Sequence, residues 1–194
     1  MNLIQGVGVN DAPYAVDVKG ELPKVDGKRK RYQIFLCPFY SVWREMLRRA
    51  YDKNFHSRKP SYSNVVVCED WLRFMAFREW MIEQDWEGNH LDKDVIGTGS
   101  LYSPDTCVFL TQRVNKFVIG ETKTCGVYTN NSSFVAKGKD FNGKSIHLGS
   151  FQSWDSARLS YIKHKISQIE YFHTIGEISD TVRDSLIARY KAGV

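Results

Sequence analysis

From Ser41 to about Asp52 the apolar residues Val42, Trp43, Met46, Leu47 and Ala50 recur at three- and four-residue steps. That period gathers them on one stripe of a helix, with Ser41 as its cap and Arg44, Arg48 and Arg49 on the opposite face. Residues 64–68 break the period with a short β-branched run and read as a strand. Glu69 and Asp70 then open a second helix whose buried stripe is Trp71, Leu72, Met75, Phe77, Trp80 and Met81. Farther along, 126–128, 134–139 and 144–151 read as three strands, with turns at Asn130-Asn131-Ser132 and Asn142-Gly143. A helix from about Ser153 carries Ala157, Tyr161, Ile162, Lys165 and Ile169 in register. A closing helix carries Ile178, Val182, Leu186, Ile187 and Tyr190, placed to dock on the body or on a partner. Residues 1–36 show neither period and read as an irregular lead. Within it, Gly6-Val7-Gly8-Val9-Asn10-Asp11 lacks the lysine of a phosphate-binding loop and follows no strand, so it reads as a turn.

Composition changes this picture little, and charge changes it more. At 194 residues, 42% hydrophobic and 25% charged, the chain has an ordinary globular balance and can bury a real core. The net charge of +5 favours a polyanionic partner, although many soluble proteins are mildly basic without one. Distribution sharpens the point: Gly27-Lys28-Arg29-Lys30-Arg31 is a compact basic cluster, which makes Arg29 and Lys30 candidates for phosphate contact. Cys37, Cys68, Cys107 and Cys125 are widely spaced with no CxxC pair, so buried free thiols in a reducing compartment are expected rather than disulfides or a paired-knuckle zinc site. No apolar run approaches the roughly 18 residues of a membrane span. Met1-Asn2-Leu3-Ile4-Gln5-Gly6 lacks the pattern of a secretion signal, so a cytoplasmic location is expected.

The candidate chemistry lies in Leu91-Asp92-Lys93-Asp94, in Tyr102-Ser103-Pro104-Asp105-Thr106-Cys107, and in Asn115. These segments resemble the ββα metal finger of HNH nucleases. In that finger a strand carries an Asp-His pair, a loop is braced around an Asn, and a following helix supplies the second metal ligand. The resemblance puts Asp92 and Asn115 at the metal, Thr106 at the brace, and Lys93 where the general-base histidine normally stands. Two oxygen ligands suit Mg²⁺ or Mn²⁺. Lys93 is then either the base or a clamp on a phosphate, and His90, two residues before Asp92 on the same strand face, is an alternative base. An ordinary hairpin with charged residues at its turn would show the same residues.

The wider pattern includes Cys37-Pro38-Phe39-Tyr40 and Val67-Cys68-Glu69-Asp70-Trp71, and it resembles phage proteins of the HNH or homing-endonuclease type. The segment from Gly126 to about Phe172 resembles the DNA-binding domain of plant ethylene-response factors (the APETALA type). That second resemblance implies a sheet laid in the major groove of duplex DNA, with Lys137, Lys139, Lys144 and His147 on its contact face. A sheet and helix with a merely solvated lysine face would read the same way.

The expected fold class is therefore α+β: an N-terminal helical region with an HNH-like ββα finger, followed by a three-stranded antiparallel sheet packed on a helix. The expected divisions are 1–36 (lead), 37–122 (HNH-like), 123–173 (sheet and helix) and 174–194 (closing helix). The expected activity is metal-dependent hydrolysis of phosphodiester bonds in duplex DNA. Its rival is a catalytically inactive DNA-binding or regulatory protein that keeps the finger as scaffold and takes a host protein as a further partner. RNA binding is a third alternative.

Overall fold

The computed structural model describes residues 3–22, 30–97, 99–119 and 126–192. In chain order the elements are β1 (Asp17–Glu21), β2 (Arg31–Leu36), α1 (Pro38–Tyr51), α2 (Lys53–Arg58), β3 (Val66–Val67), α3 (Phe74–Ile82) and β4 (His90–Asp92). They continue with β5 (Leu101–Tyr102), β6 (Val108–Leu110), α4 (Gln112–Ile119), β7 (Val127–Asn130), β8 (Ser133–Lys139), β9 (Ser145–Phe151), α5 (Trp154–Thr174) and α6 (Asp180–Ala192). The class is mixed α+β with a three-stranded antiparallel sheet. The chain divides into two compact units, Met1–Glu87 with Gly97–Phe109, and Gly88–Ile96 with Leu110–Val194. No helix among the described residues is long and apolar enough to cross a membrane.

The first unit is built on aromatic packing between α1 and α3. Trp43, Leu47, Trp71, Phe74, Phe77 and Met81 are fully buried. The indole N–H of Trp43 donates to the Trp71 carbonyl at 2.7 Å, so the large ring is buried without leaving its polar atom unsatisfied. The helix starts four residues earlier than the Ser41 cap implies, because Pro38 occupies the first turn, where its missing N–H costs nothing. The second helix also differs from expectation. Asp70–Leu72 form a 3-10 turn, and α3 begins at Phe74. The β-branched run yields a strand of only two residues, β3, paired in parallel with β5.

The lead is not irregular. β1 and β2 form an antiparallel ribbon with a bulge at Val18/Lys19, and Tyr32, Ile34 and Phe35 remain exposed on it. Farther upstream the glycine motif is a turn, with Gly6 at φ 78° and a bridge between Ile4 and Gly8. Gly8 has no room for a side chain, since a Cβ there would lie 2.3 Å from Leu47 Cδ1. Val9 bridges to Arg73, and Asp11 Oδ1 accepts the Met75 backbone N–H at 2.9 Å.

The second unit centres on the sheet in the order β7-β8-β9. Phe134, Leu148 and Phe151 pack with Val127, Ala136 and Ala157, so α5 covers one face. Gly126, at φ 75°, lets the ring of Tyr161 approach to a distance that a Cβ would not allow. The β8–β9 turn is organised by Asp140, whose Oδ1 accepts the N–H groups of Asn142 at 2.9 Å and Lys144 at 2.8 Å, with Gly143 at φ 81°. Ser153 caps α5 by accepting the Ser156 N–H at 3.2 Å. α6 buries Val182, Leu186 and Tyr190, and packs on α5.

Candidate functional site

The sheet alternates its side chains strictly enough to separate two faces. Phe134, Ala136 and Gly138 point toward α5, whereas Lys137 and Lys139 are exposed. A bulge between Ala136 and Lys137 resets the register so that Lys137 pairs with His147. Tyr128, Val135 and Ser150 form a second row across the three strands. Lys144 lies exposed in the β8–β9 turn. The Nζ of Lys137 stands 5.5 Å from the centre of the Tyr128 ring. On the side turned away from α5 the sheet thus offers lysines, an imidazole, a phenol and a hydroxyl, with Val135 buried among them. Lys30, exposed beside the β1–β2 ribbon, belongs to the other unit, and Arg29 lies outside the described residues.

The residues matched to the metal finger fall on defined elements. Asp92 is the last residue of β4, Asn115 is on α4, and these two elements lie against each other within the second unit. α4 is opened by Thr111, whose hydroxyl accepts the Val114 N–H at 3.2 Å. The Asp92 carboxylate is buried. Its Oδ1 accepts the N–H groups of Asp94 and Val95, both at 2.8 Å, and so closes a turn. Burial nevertheless holds this carboxyl above its ordinary pKa, against the pull of those two N–H groups. Asn115 Oδ1 is buried and has no hydrogen-bond partner among the described residues. A buried amide oxygen without a donor is uncommon in folded proteins, and a cation would satisfy it.

Lys93 is 4% exposed, and its Nζ donates to Asp94 Oδ1 at 2.8 Å. The neighbouring Asp94 carbonyl accepts from Arg189 of α6, which ties the turn after β4 to the closing helix. His90 is exposed at the start of β4. Thr106 belongs to the first unit and braces its own loop: Oγ1 accepts the Ser103 N–H at 3.0 Å and donates to the Leu101 carbonyl at 2.8 Å.

No protein-family model, curated protein or solved structure matches this chain. The reading of the site therefore rests on its own geometry. Among the described residues, no cluster of three or more His, Cys, Asp and Glu side chains is placed to hold a metal. Among the described residues Cys37, Cys68 and Cys107 form no disulfide, and Cys125 lies outside those residues.

Sequence reasoning missed the groups that surround α4. Arg113 makes a bidentate pair with Glu177 at 2.6 and 3.1 Å, and Lys165 of α5 is buried with its Nζ 3.3 Å from the centre of the Phe117 ring. Lys165 was placed in the helical register of α5 but given no role, and a lysine at a core position of a 21-residue helix was the available signal.

Proposed function

We propose that this chain binds duplex DNA through the outer face of β7–β9, and that Asp92 and Asn115 hold a divalent cation in an HNH-type site acting on the phosphodiester backbone. The observation that carries the DNA reading is the sheet face turned away from α5, where exposed Lys137 and His147 stand side by side in one row and Tyr128, Val135 and Ser150 in the next. A β-ribbon fits the major groove of B-form DNA. Lysines there hold phosphates, while His147, Ser150 and the Tyr128 hydroxyl can donate to or accept from base edges. The strands carry no arginine, so phosphate contact dominates and sequence discrimination is modest.

The nuclease part rests on Asn115. Its orphaned side-chain oxygen, on a helix packed against the strand that ends in Asp92, matches the need of a hard cation for oxygen donors. When bound, Mg²⁺ or Mn²⁺ would stabilise charge on the oxygen that leaves phosphorus. His90, exposed on the same strand as Asp92, is the group able to take a proton from water. Lys93 is buried and paired with Asp94, which counts against the role of base.

That same ion pair favours a second reading, in which the chain binds DNA without cutting it. Supercoiled plasmid incubated with Mg²⁺ or Mn²⁺ separates the two. Under the nuclease reading the wild type nicks the plasmid, Asp92→Ala abolishes nicking while DNA binding persists, and His90→Ala slows it. Salt-sensitive binding with no metal-dependent nicking would leave the second reading standing. Absence of binding to any duplex would remove both.

A further inference from the structure

The second unit contains a cavity of about 610 Å³, bounded by α4, the β8–β9 turn and α5, that is separate from the Asp92–Asn115 pair. We propose that it binds a nucleoside phosphate, with the phosphates held by lysines and the base against aromatic rings. Its volume falls in the range of small-ligand sites, roughly 300–1,000 Å³.

The charge of the walls is one-sided. Among the described residues, Lys116, Lys137, Lys139 and Lys165 line the cavity, with Asp140 as the one carboxylate. The Arg113 guanidinium is also present, but Glu177 already neutralises it. Asp140 is committed to the β8–β9 turn through its two N–H bonds. Among the described residues Lys116, Lys137 and Lys139 have no carboxylate partner. A concave surface with unopposed ammonium groups and low-dielectric walls concentrates the field that attracts a polyanion. The end of β8, from Lys137 to Lys139, borders the cavity.

Aromatic groups supply what a bare phosphate site would not need. Phe141 leaves 42% of its surface exposed at the tip of the β8–β9 turn, although its ring also packs 4.4 Å from that of Tyr171. Tyr128 is 40% exposed at the opposite border. Phe117 forms the floor beneath Lys165. Exposed rings beside unopposed lysines are the combination by which proteins hold a base and its phosphates together.

The cavity shares Lys137 and Tyr128 with the outer sheet face but not Lys144, so the two sites can be tested apart. Calorimetric titration with ADP should show one saturable site, with adenosine and inorganic pyrophosphate each binding at least about tenfold more weakly. Lys116→Ala, on an exposed position, and Phe141→Ala should each weaken ADP several-fold, whereas Lys144→Ala should weaken duplex binding and leave ADP unchanged. Competition by a 5′-phosphorylated single strand at comparable concentration would show that the nucleotide is delivered as a strand end, and its failure would show a free nucleotide as the ligand. No saturable ADP binding at millimolar concentration would overturn the proposal. So would pyrophosphate binding as tightly as ADP, or an unaltered ADP affinity in both Lys116→Ala and Phe141→Ala.

Discussion

Lys137 and His147 are register partners across β8 and β9, and both are exposed on the face that α5 leaves uncovered. The bulge at Ala136/Lys137 produces this pairing, because without it Lys137 would stand opposite Leu148, which packs inward. Lys137→Ala is expected to weaken duplex binding and to reduce the slope of log affinity against log salt by about one contact. His147→Ala should lower affinity with little change in slope. Fluorescence anisotropy of a labelled duplex across a salt series measures both. Slopes identical to wild type in Lys137→Ala would place the DNA elsewhere.

Asn115 provides a stability test that needs no DNA. A buried acceptor without a donor costs on the order of 1–3 kcal/mol. Asn115→Leu therefore should be at least as stable as wild type in the absence of divalent ions. Added Mg²⁺ or Mn²⁺ should raise the melting temperature of wild type and leave that of Asn115→Leu unmoved. Equal shifts in the two proteins would remove Asn115 from the cation site.

Asp92 makes stability depend on pH in a defined direction. Burial raises its folded-state pKa, so the folded chain keeps this proton to higher pH than the unfolded chain does. The associated stability is complete below the ordinary carboxylate range and is lost as pH rises through the raised value. Asp92→Asn retains an oxygen able to accept the Asp94 and Val95 N–H groups but carries no charge. The variant should gain on wild type as pH rises from the acid range toward neutrality, measured as melting temperature against pH in chelator. A difference that is flat in pH would contradict the buried, charged carboxylate.

Asp11 acts on a helix that starts 63 residues later in the chain. By accepting the Met75 N–H and pairing with Arg73 at 3.0 Å, it caps α3, whose N-cap residue Arg73 makes no side-chain cap bond. Asp11→Ala should cost about 1 kcal/mol, the usual worth of an N-terminal cap, read from urea denaturation. No loss would mean that water replaces the carboxylate.

Two glycines separate crowding from backbone conformation. Gly126 and Gly143 both have positive φ, but a Cβ at Gly126 would meet the Tyr161 ring at 2.1 Å whereas Gly143 faces open space. Gly143→Ala should cost about 1–2 kcal/mol for left-handed backbone alone. Gly126→Ala should cost that plus about 1–3 kcal/mol of overpacking. Equal denaturation midpoints would show that Tyr161 can move aside.

Spacing along the chain was enough to identify α1, α5, α6 and the three strands β7–β9, because each depends on a period of two or 3.6 and on turn residues such as Asn142-Gly143 that act over a few positions. The start of α5 near Ser153 was legible for the same reason. The β1–β2 ribbon was not, since its register depends on pairing between segments with no alternation strong enough to declare them, and Tyr32, Ile34 and Phe35 stay exposed. The start of α1 was misplaced because Pro38, not a side-chain cap, opens it.

The residues of interest at 90–94, 106 and 115 could be named from order and type alone, yet their surroundings could not. That Lys93 is buried against Asp94, that Thr106 and Asp92 belong to different units, and that Asn115 Oδ1 has no donor among the described residues are consequences of chain closure over tens of residues. The same holds for the cavity, whose lysines come from α4, β8 and α5. Local sequence selects helix, strand and turn through short-range sterics and periodicity. Which polar atoms meet, and which are left without a partner, is set by packing between segments distant along the chain.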